Sequence, residues 1–411
     1  MKNIIKKISL LLGYFLGLLL TIVLFILRPF LHIKFFHIDT MNFGRFIDQI
    51  NLYQNHKHIR DAENKSFFYI LVFDNKNFCN LALKKISKRY LNVYDQNIFL
   101  YWTIKFLKFF KIESHLYKIM NPFEYETYYT KKYNNINKDW GWSYPIHLNL
   151  TKEETKSSLE ILEKFNLNKN DKWICIHNRD QVFKKKTYLN PKDELEHSYR
   201  NFDINLMLDA AEHFASLGYF VFRMGREQEK CLKTKNKKII DYAFSEHKSA
   251  LADIYFLKNC TAYFGSNSGI STPCILFKRP ISHINYATTT LNHLTYYKTL
   301  PCIIKRIRCK NSGNKLSIRE ILEKNLIKIV KNSEIVKKGY ELIDNEKVDI
   351  KELAVEVGNY LDGRYTYSKE EKNNLERFND LIIKGYEKKN LGMKKIIIGK
   401  NFLSKNLDLI N

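Results

Sequence analysis

Between residues 173 and 284 the sequence alternates short apolar runs with amphipathic stretches of helical period. The apolar runs are each the length of one strand and cover residues 173–176, 219–222, 238–240, 262–264 and 281–284. The helical stretches between them cover residues 203–217, 249–257 and 270–277. Such alternation is typical of a parallel sheet with helices on both faces. We therefore predict a doubly wound α/β domain, in which ligands bind where loops leave the carboxyl ends of the strands.

An earlier segment carries a shorter version of the same pattern. Residues 67–73 and 91–94 have strand composition and flank a helical stretch at residues 80–88, which predicts a β-α-β unit. The 411 residues are enough for two domains of ordinary size with appendages. The predicted boundaries are 1–36 for an apolar N-terminal segment and its flank, 37–150 for the first domain, 151–315 for the second and 316–411 for a C-terminal helical extension.

Residues 8–26 form an uncharged apolar run of 19 residues. That length suffices to cross a hydrocarbon core of ~30 Å, and no small-residue cleavage site follows it, so a retained membrane anchor is favoured over a signal peptide. The following stretch, residues 28–36, could instead lie in the membrane interface, which leaves spanning and monotopic anchoring both open. Gly13 and Gly17 form a G-x-x-x-G pair that would allow close helix packing, although two glycines in an apolar helix are often accidental.

The chain has a formal net charge of +25, from 68 Lys and Arg against 43 Asp and Glu. This excess favours a negatively charged partner such as phosphate groups, nucleic acid or an anionic membrane, although a general bias toward Lys and Asn would have the same effect. No recognised nucleic-acid motif is present, so a specific nucleic-acid partner is not expected. The seven cysteines show no zinc spacing and lie mostly in apolar runs, which predicts a reducing, cytoplasmic compartment.

The first loop at the predicted sheet edge contains His177, Asn178, Arg179 and Asp180. A guanidinium at this position can bind a diphosphate with two parallel hydrogen bonds, and a neighbouring carboxylate can orient it or accept a proton. A structural salt bridge is the alternative.

Two further predicted strands end in polar residues at the same edge. Arg223 and Gly225 follow one strand, and Asp241 and Tyr242 follow the next. The arginine adds positive charge to this edge. The carboxylate of Asp241 can bind a ribose or a base, or it can cap a turn.

The segment Gly265-Ser266-Asn267-Ser268-Gly269 joins a predicted strand to a predicted helix. Its glycines permit a tight turn, and free amides at a helix start favour an anion, so the segment is a candidate phosphate cradle. It lacks the residues of a Walker loop and the spacing of a dinucleotide fingerprint. A plain small-residue turn remains the alternative.

A loop before the helical stretch at 203–217 contains His197 and Arg200 and is expected to lie above the same sheet edge, where it could contact a ligand. A capping role for Asn201 and Asp203 is the simpler alternative. Asp-x-Asp occurs nowhere in the chain, so the usual carboxylate pair for a divalent metal is missing. We therefore expect no metal and no cofactor.

Taken together and in order, these motifs resemble those of a bacterial glycosyltransferase family found with surface-polysaccharide genes. The matching motifs are His177-x-Arg179-Asp180, His197-x-Tyr199-Arg200-Asn201, Arg223-Met224-Gly225, Asp241-Tyr242 and Gly265-x-x-Ser268-Gly269. The resemblance implies a GT-B-like pair of Rossmann-like domains, with the acceptor on the first and a nucleotide-sugar donor on the second. More distantly, the His-x-Arg-Asp loop is similar to that of GDP-fucose-dependent O-fucosyltransferases, whose matching arginine binds the donor diphosphate. Arg45 departs from the family pattern, which has histidine after the glycine.

The resemblance implies a metal-independent glycosyltransferase that moves a sugar to a glycan or lipid-linked acceptor in cell-surface polysaccharide or lipopolysaccharide synthesis. Asp180 or His197 would be the catalytic base. The donor would contact His177, Arg179, Arg200, Arg223, Gly225, Asp241, Tyr242, Ser266, Ser268 and Gly269. The expected location is the inner (cytoplasmic) membrane, with a single anchor and the catalytic region facing the cytoplasm. A membrane-anchored assembly factor that binds nucleotide sugars without catalysis is the alternative.

Overall fold

The computed structural model describes residues 2–27, 30, 33–62, 68–73, 77–110, 148–182, 196–295, 299–327, 329–385 and 395–411. The chain divides into two compact units. Unit 1 comprises Met1–Tyr125 with Tyr144–Thr151, and unit 2 comprises Glu126–Ser143 with Lys152–Asn411.

Unit 1 contains a parallel sheet of three strands in the order β1-β2-β3. Its elements are α1 (Lys2–Leu27), β1 (Ile33–Ile38), α2 (Phe43–Ala62), β2 (Phe68–Phe73), α3 (Leu81–Tyr90), β3 (Val93–Asp95) and α4 (Ile98–Phe109). The predicted β-α-β unit is confirmed as β2, α3 and β3. Helix α3 begins where the Asn80 side chain accepts a hydrogen bond from Leu83 N, a common N-cap arrangement. Helix α4 was not predicted from the sequence.

The apolar helix α1 packs against α4. Gly13 lies against Ile98 and Gly17 against Trp102, so the close packing expected of the glycine pair is confirmed. An 18-residue part of α1, Leu10–Leu27, is apolar and long enough to cross a membrane by length and composition, with a mean hydropathy of 2.8. Residues 33–36 of the stretch considered for the membrane interface belong to strand β1 and pair with β2, so this part is a strand and not a helix. The residues 28, 29, 31 and 32 lie outside the described part of the chain.

Unit 2 contains a parallel sheet of five strands in the order β6-β5-β4-β7-β8. Its first part consists of α5 (Lys152–Glu163), β4 (Trp173–His177), α6 (Leu208–Ser216), β5 (Phe220–Arg223), β6 (Ile239–Ile240), α7 (Ala250–Asn259), β7 (Ala262–Gly265), α8 (Thr272–Leu276) and β8 (Ile281–His283). All five predicted strands of this domain are confirmed. The strand order runs outward from β4 in one direction and then restarts at β7 in the other, which is the winding of a doubly wound α/β fold.

The remainder of unit 2 adds β9 (Arg306–Cys309), α9 (Ile318–Glu323), α10 (Asn332–Lys337), β10 (Tyr340–Ile343), α11 (Lys347–Leu361), α12 (Lys369–Gly385) and α13 (Lys400–Lys405). β9 and β10 pair antiparallel. The last 25 residues are lysine-rich, and their composition predicts a peripheral segment. That prediction was wrong, because Ile396, Ile398, Leu409 and Ile410 are buried in the same hydrophobic core as the five-stranded sheet.

Candidate functional site

The winding of the unit 2 sheet reverses between β4 and β7. The two strands are parallel neighbours, and His177 at the end of β4 pairs with Gly265 at the end of β7. Their backbones approach so closely that a Cβ on Gly265 would overlap the His177 carbonyl oxygen and lie 2.9 Å from His177 N. In open α/β sheets this position is where ligands bind, because the loops on either side of it diverge. The predicted His177–Asp180 and Gly265–Gly269 segments therefore lie on adjacent strand ends.

A cleft of about 210 Å³ lies beside the loop that follows β4. It is smaller than the ~300 to ~1,000 Å³ of typical drug-sized ligand sites. The cleft is lined by Asn178, Asp180, Gln181, Asn201, Phe202, Asp203, Ile204, Glu229 and Lys230, which all belong to unit 2. Asp203 binds Lys230 at 2.6 Å and accepts a hydrogen bond from Asn205 N, so it has the capping role that the sequence allowed.

Asp180 is fixed in this cleft by two backbone amides. Its Oδ1 accepts a hydrogen bond from Val182 N at 3.1 Å, and its Oδ2 accepts one from Glu229 N at 2.8 Å. Partial burial raises the pKa of Asp180, although these two hydrogen bonds and the charge of Arg223 act against the rise. The carboxylate is thus oriented and more basic than a solvated aspartate, which are the two properties a general base needs.

His177 is buried and uncharged. Burial lowers the pKa of its imidazole to about 3, and the positive charges of Arg223 and Arg179 lower it further, while the hydrogen bond to Met224 O opposes the change. Because the ring is neutral, Nδ1 carries the proton that it donates to Met224 O over 2.8 Å. Nε2 is then a hydrogen-bond acceptor at the end of β4.

The Arg179 side chain is 8% exposed and reaches the loop that contains His197. One guanidinium nitrogen donates to His197 O at 2.8 Å and to the side-chain oxygen of Asn201. The His197 ring makes an edge contact with Tyr199, at a centroid distance of 6.3 Å. Arg179 therefore holds the loop of residues 197–201 in place through hydrogen bonds to both of its ends.

A second buried cation, Lys305, lies near Arg179. Lys305 is only 2% exposed, and its Nζ donates to Asn201 O at 3.2 Å and to the carboxylate of Asp344. Burial lowers the pKa of Lys305, opposed by Asp344, and the charge of Arg179 lowers it further. The sequence analysis did not identify Lys305 as a site residue. Its position between the largely apolar residues 300–304 and Ile307 indicates burial, which is rare for a lysine without a partner.

Arg200 differs from the other cations of this region in its contacts. Its side chain makes no hydrogen bond or ion pair with any residue that the structure describes, and its guanidinium lies 5.8 Å from the centre of the Tyr199 ring. Its Nε is buried. A half-buried guanidinium without an acceptor is costly unless a ligand supplies one.

Arg223, Asp241 and Tyr242 are engaged in internal contacts. Arg223 is fully buried and binds Asp241 at 3.0 Å, Asn178 at 3.2 Å and Gln228 at 2.9 Å. The Tyr242 hydroxyl accepts a hydrogen bond from Ser249 N at 3.0 Å. Gly225 has φ +155°, and a Cβ there would contact the Gln228 side chain that binds Arg223. The roles of these predicted residues in holding a donor stay predictions.

The predicted phosphate cradle has a partly different form from that expected. Ser266 is buried and its hydroxyl lies 3.4 Å from His177 O, so this side chain faces inward. The backbone amides of Asn267, Ser268 and Gly269 donate to no residue that the structure describes. Helix α8 starts at Thr272 and has five residues, shorter than the predicted helix at 270–277. Any anion affinity of this segment therefore comes from its turn amides and not from a helix terminus.

Arg45, which departs from the family pattern, lies in unit 1 at the start of α2. It is largely exposed and pairs with Asp39 at 3.4 Å. Within the described ranges, no three His, Cys, Asp or Glu residues are grouped so that they could hold a metal ion. Metal independence stays a prediction.

No protein-family model matches the chain, and no curated protein matches it either. Among solved structures, the chain is similar to a glycosyl transferase family 9 protein from Veillonella parvula, with 11% identity and a TM-score of 0.41 over 80% of this chain and 97% of that chain. It is also similar to the ADP-heptose LPS heptosyltransferase II of E. coli, with 12% identity and a TM-score of 0.38 over 67% of this chain and 90% of that one. A third similar structure is the iron-containing dodecameric glycosyltransferase TibC from enterotoxigenic E. coli, with 12% identity and a TM-score of 0.34 over 66% of this chain and 65% of that one.

Proposed function

We propose that unit 2 binds a nucleotide-activated sugar and that the protein transfers this sugar to a hydroxyl group of a glycan or lipid-linked acceptor. The observation that carries the proposal is the set of cations around Asn201. Arg179 binds its side chain, Lys305 binds its carbonyl, and Arg200 precedes it in the chain. These three cationic residues lie beside the strand end where ligands bind in this fold class.

Burial of several like charges in one region has an energetic cost that an anionic ligand would relieve. Arg179 and Lys305 are close enough for the charge of one to lower the pKa of the other. Asp344 offsets the charge of Lys305, and Arg200 has no carboxylate among the described residues. A diphosphate supplies two negative charges and several acceptor oxygens, and arginine matches its geometry.

The transfer that this site supports is a direct displacement. The acceptor oxygen forms a bond to the anomeric carbon, the bond from that carbon to the diphosphate oxygen breaks, and the acceptor proton moves to Asp180. His197 is the second candidate for the base. Arg179, Arg200, Lys305 and the amides of residues 267–269 would stabilise the charge of the departing diphosphate, which removes the need for a metal ion.

Substitution of Arg200 provides the test. Arg179→Ala is also expected to abolish transfer, but Arg179 holds His197 and Asn201, so that variant loses protein contacts as well. Arg200→Ala removes no side-chain hydrogen bond to the described part of the chain. It should keep the unfolding temperature of the parent and weaken nucleoside diphosphate binding by about 10- to 100-fold, the typical effect of a lost charged hydrogen bond.

Arg319→Ala is the matched control, because Arg319 is an exposed arginine in the first turn of α9. It removes the same charge and should change neither binding nor stability. Calorimetry with a panel of nucleoside diphosphates measures the affinity. Equal binding by the Arg200→Ala variant and the parent would contradict the donor site.

A turnover assay separates the enzyme from the alternative function. Release of nucleoside diphosphate from a nucleotide sugar, in the presence of glycan and lipid-linked acceptors, is expected of the parent and not of Asp180→Asn. Tight binding of a nucleotide sugar without turnover on any acceptor would favour an assembly factor. We further propose a role in cell-surface polysaccharide or lipopolysaccharide synthesis at the cytoplasmic face of the inner membrane, supported by the motif resemblance and the apolar helix α1.

A further inference from the structure

Helix α1 has one face against its own unit and the opposite face exposed. The buried face consists of Gly13, Gly17, Thr21 and Leu24, which recur at the spacing of one helical stripe. Leu24 packs in a cluster with Phe35 of β1, Val72 of β2, and Leu100, Ile104 and Leu107 of α4. The C-terminal half of α1 is therefore a layer of the α/β fold of unit 1.

We infer that α1 lies along one leaflet of an anionic phospholipid membrane and does not cross the bilayer. Before Gly13, the side chains of α1 that the structure describes, residues 7, 8 and 10–12, are exposed. Residues 2–12 span roughly 16 Å at 1.5 Å per residue, about half of a ~30 Å hydrocarbon core. The apolar run is long enough to cross a membrane only if residues 13–24 leave the sheet.

Insertion of the packed half would also carry strand β1 into the hydrocarbon. β1 is an edge strand of the β1-β2-β3 sheet. An open sheet edge in lipid leaves backbone amides and carbonyls without partners, which costs several kcal/mol for each group. A spanning helix is therefore incompatible with the packing of α1 against unit 1.

The exposed face of α1 fits a membrane surface. Its large side chains are mostly apolar and 46–64% exposed, among them Ile8, Leu12, Phe15, Leu19, Val23 and Ile26. Helix α4 beside it ends at exposed Phe109, which exposed Phe110 follows, and it contributes exposed Lys105 and Lys108. Aromatic and basic residues that flank an apolar face are typical of interfacial helices. The net charge of +25 favours anionic lipid headgroups in the same way.

The position of the N-terminus tests this topology. Cys231 is an exposed native cysteine of unit 2 and reports the side on which unit 2 lies. Lys7 is exposed at the start of α1, so Lys7→Cys places a second thiol at the other end of the chain, in a background with Cys79→Ser and Cys309→Ser. The full-length protein is added to preformed vesicles of phosphatidylcholine and phosphatidylglycerol, and a membrane-impermeant maleimide is supplied either outside or enclosed inside.

We expect the protein to float with the vesicles and both thiols to react with the external reagent. Reaction of the thiol introduced at residue 7 only with the enclosed reagent, or only after detergent, would overturn the inference, because it places the N-terminus across the bilayer. Recovery of the protein in the aqueous fraction as a dimer would also overturn it, because a second copy would then cover the apolar face. The assay uses neither donor nor acceptor, so its outcome is independent of the proposed activity.

Gly17→Leu tests the packing itself. A Cβ at residue 17 would lie 2.7 Å from the Trp102 Cβ and 2.9 Å from the backbone nitrogen of Thr103, so α1 must move away from α4. We expect the unfolding temperature of unit 1 to fall by roughly 5 °C or more. In a helix surrounded by lipid the same change would strengthen the helix, since Leu has the higher helix propensity. Phe15→Leu, on the exposed face, is the control, and an unchanged unfolding temperature in Gly17→Leu would contradict the docked helix.

Discussion

The chemistry of single residues at the β4 end depends on burial. His177 and Asp180 are three positions apart, yet their environments differ. Burial keeps the imidazole of His177 neutral, with a pKa of about 3, and partial burial raises the pKa of the Asp180 carboxyl. Asp180 also accepts hydrogen bonds from two backbone amides, which fix its orientation. Of His177 and Asp180, the aspartate is therefore better placed to take a proton from an acceptor hydroxyl.

The buried histidine predicts a pH dependence of stability. The pKa of His177 is about 3 in the folded protein and 6.5 in a solvated histidine, so between these values the unfolded chain binds one more proton. The stabilisation is therefore complete above pH 6.5 and is lost as the pH falls toward 3. The loss is at most about 1.4 kcal/mol per pH unit. His177→Asn removes the titrating group and keeps an N–H donor for Met224 O.

Denaturant unfolding at a series of pH values between 6.5 and 3 measures this difference. The free energy of unfolding should fall less steeply with decreasing pH in His177→Asn than in the parent. Parallel curves for the two proteins would show that His177 does not titrate with a depressed pKa. The comparison cancels the contributions of all other titrating groups, which are common to both proteins.

At the scale of elements, the β4–β7 junction depends on one small residue. Gly265→Ala places a Cβ against the backbone of His177, and backbone atoms in a sheet cannot move aside as a side chain can. We expect the free energy of unfolding to fall by about 2–4 kcal/mol, the range of severe overpacking, as measured by denaturant titration.

Gly218→Ala is the control for this prediction. Gly218 has φ +95°, and no atom of the described ranges lies within 4 Å of an added Cβ, so its substitution has only the conformational cost, about 1 kcal/mol. If Gly265→Ala were no more destabilising than Gly218→Ala, the close approach of β4 and β7 would be refuted.

Most elements of unit 2 were predictable because their apolar patterns are local. The strands β4 to β8 each coincide with a predicted run to within about two residues. Helix α4 was missed, since its aromatic-rich sequence has no clear helical stripe, although Asn97 caps it by accepting a hydrogen bond from Leu100 N. The short α8 was predicted too long, and its start at Thr272 lies three residues beyond Gly269.

At the scale of the molecule, the C-terminal residues complete the core of unit 2. Ile398 bridges to Cys302 in parallel, and Arg306 binds Asp408 at 2.7 Å. Lys305 of the candidate site directly precedes Arg306 in the sequence. The position of Lys305 therefore depends on the same C-terminal contact as Arg306 does.

Truncation of residues 396–411 is predicted to unfold unit 2. It removes six buried side chains, Ile396, Ile398, Phe402, Leu403, Leu409 and Ile410. At about 1.5–3 kcal/mol for each large apolar side chain, the loss is comparable to the ~5–15 kcal/mol by which a typical domain is stable. Circular dichroism and limited proteolysis of the truncated chain measure the effect. Deletion of the exposed Asn411 alone should be neutral, and a truncated chain that unfolds at the parent temperature would contradict the prediction.

The sequence by itself determined the strands, the loops at their carboxyl ends and the apolar N-terminal helix. These features follow from the spacing of apolar residues over short distances, which needs no knowledge of distant contacts. Arg179 and Asp180 were identified in this way.

Only the tertiary structure decided which charges are available to a ligand. It paired Arg223 with Asp241, brought Lys305 to Asn201 from 104 residues away, and placed one face of α1 against its own sheet. The sequence shows that a residue is charged but not whether another side chain pairs with it. It likewise shows the hydropathy of an apolar helix but not whether lipid or protein covers that helix. The difference lies in partners that packing supplies from distant parts of the chain.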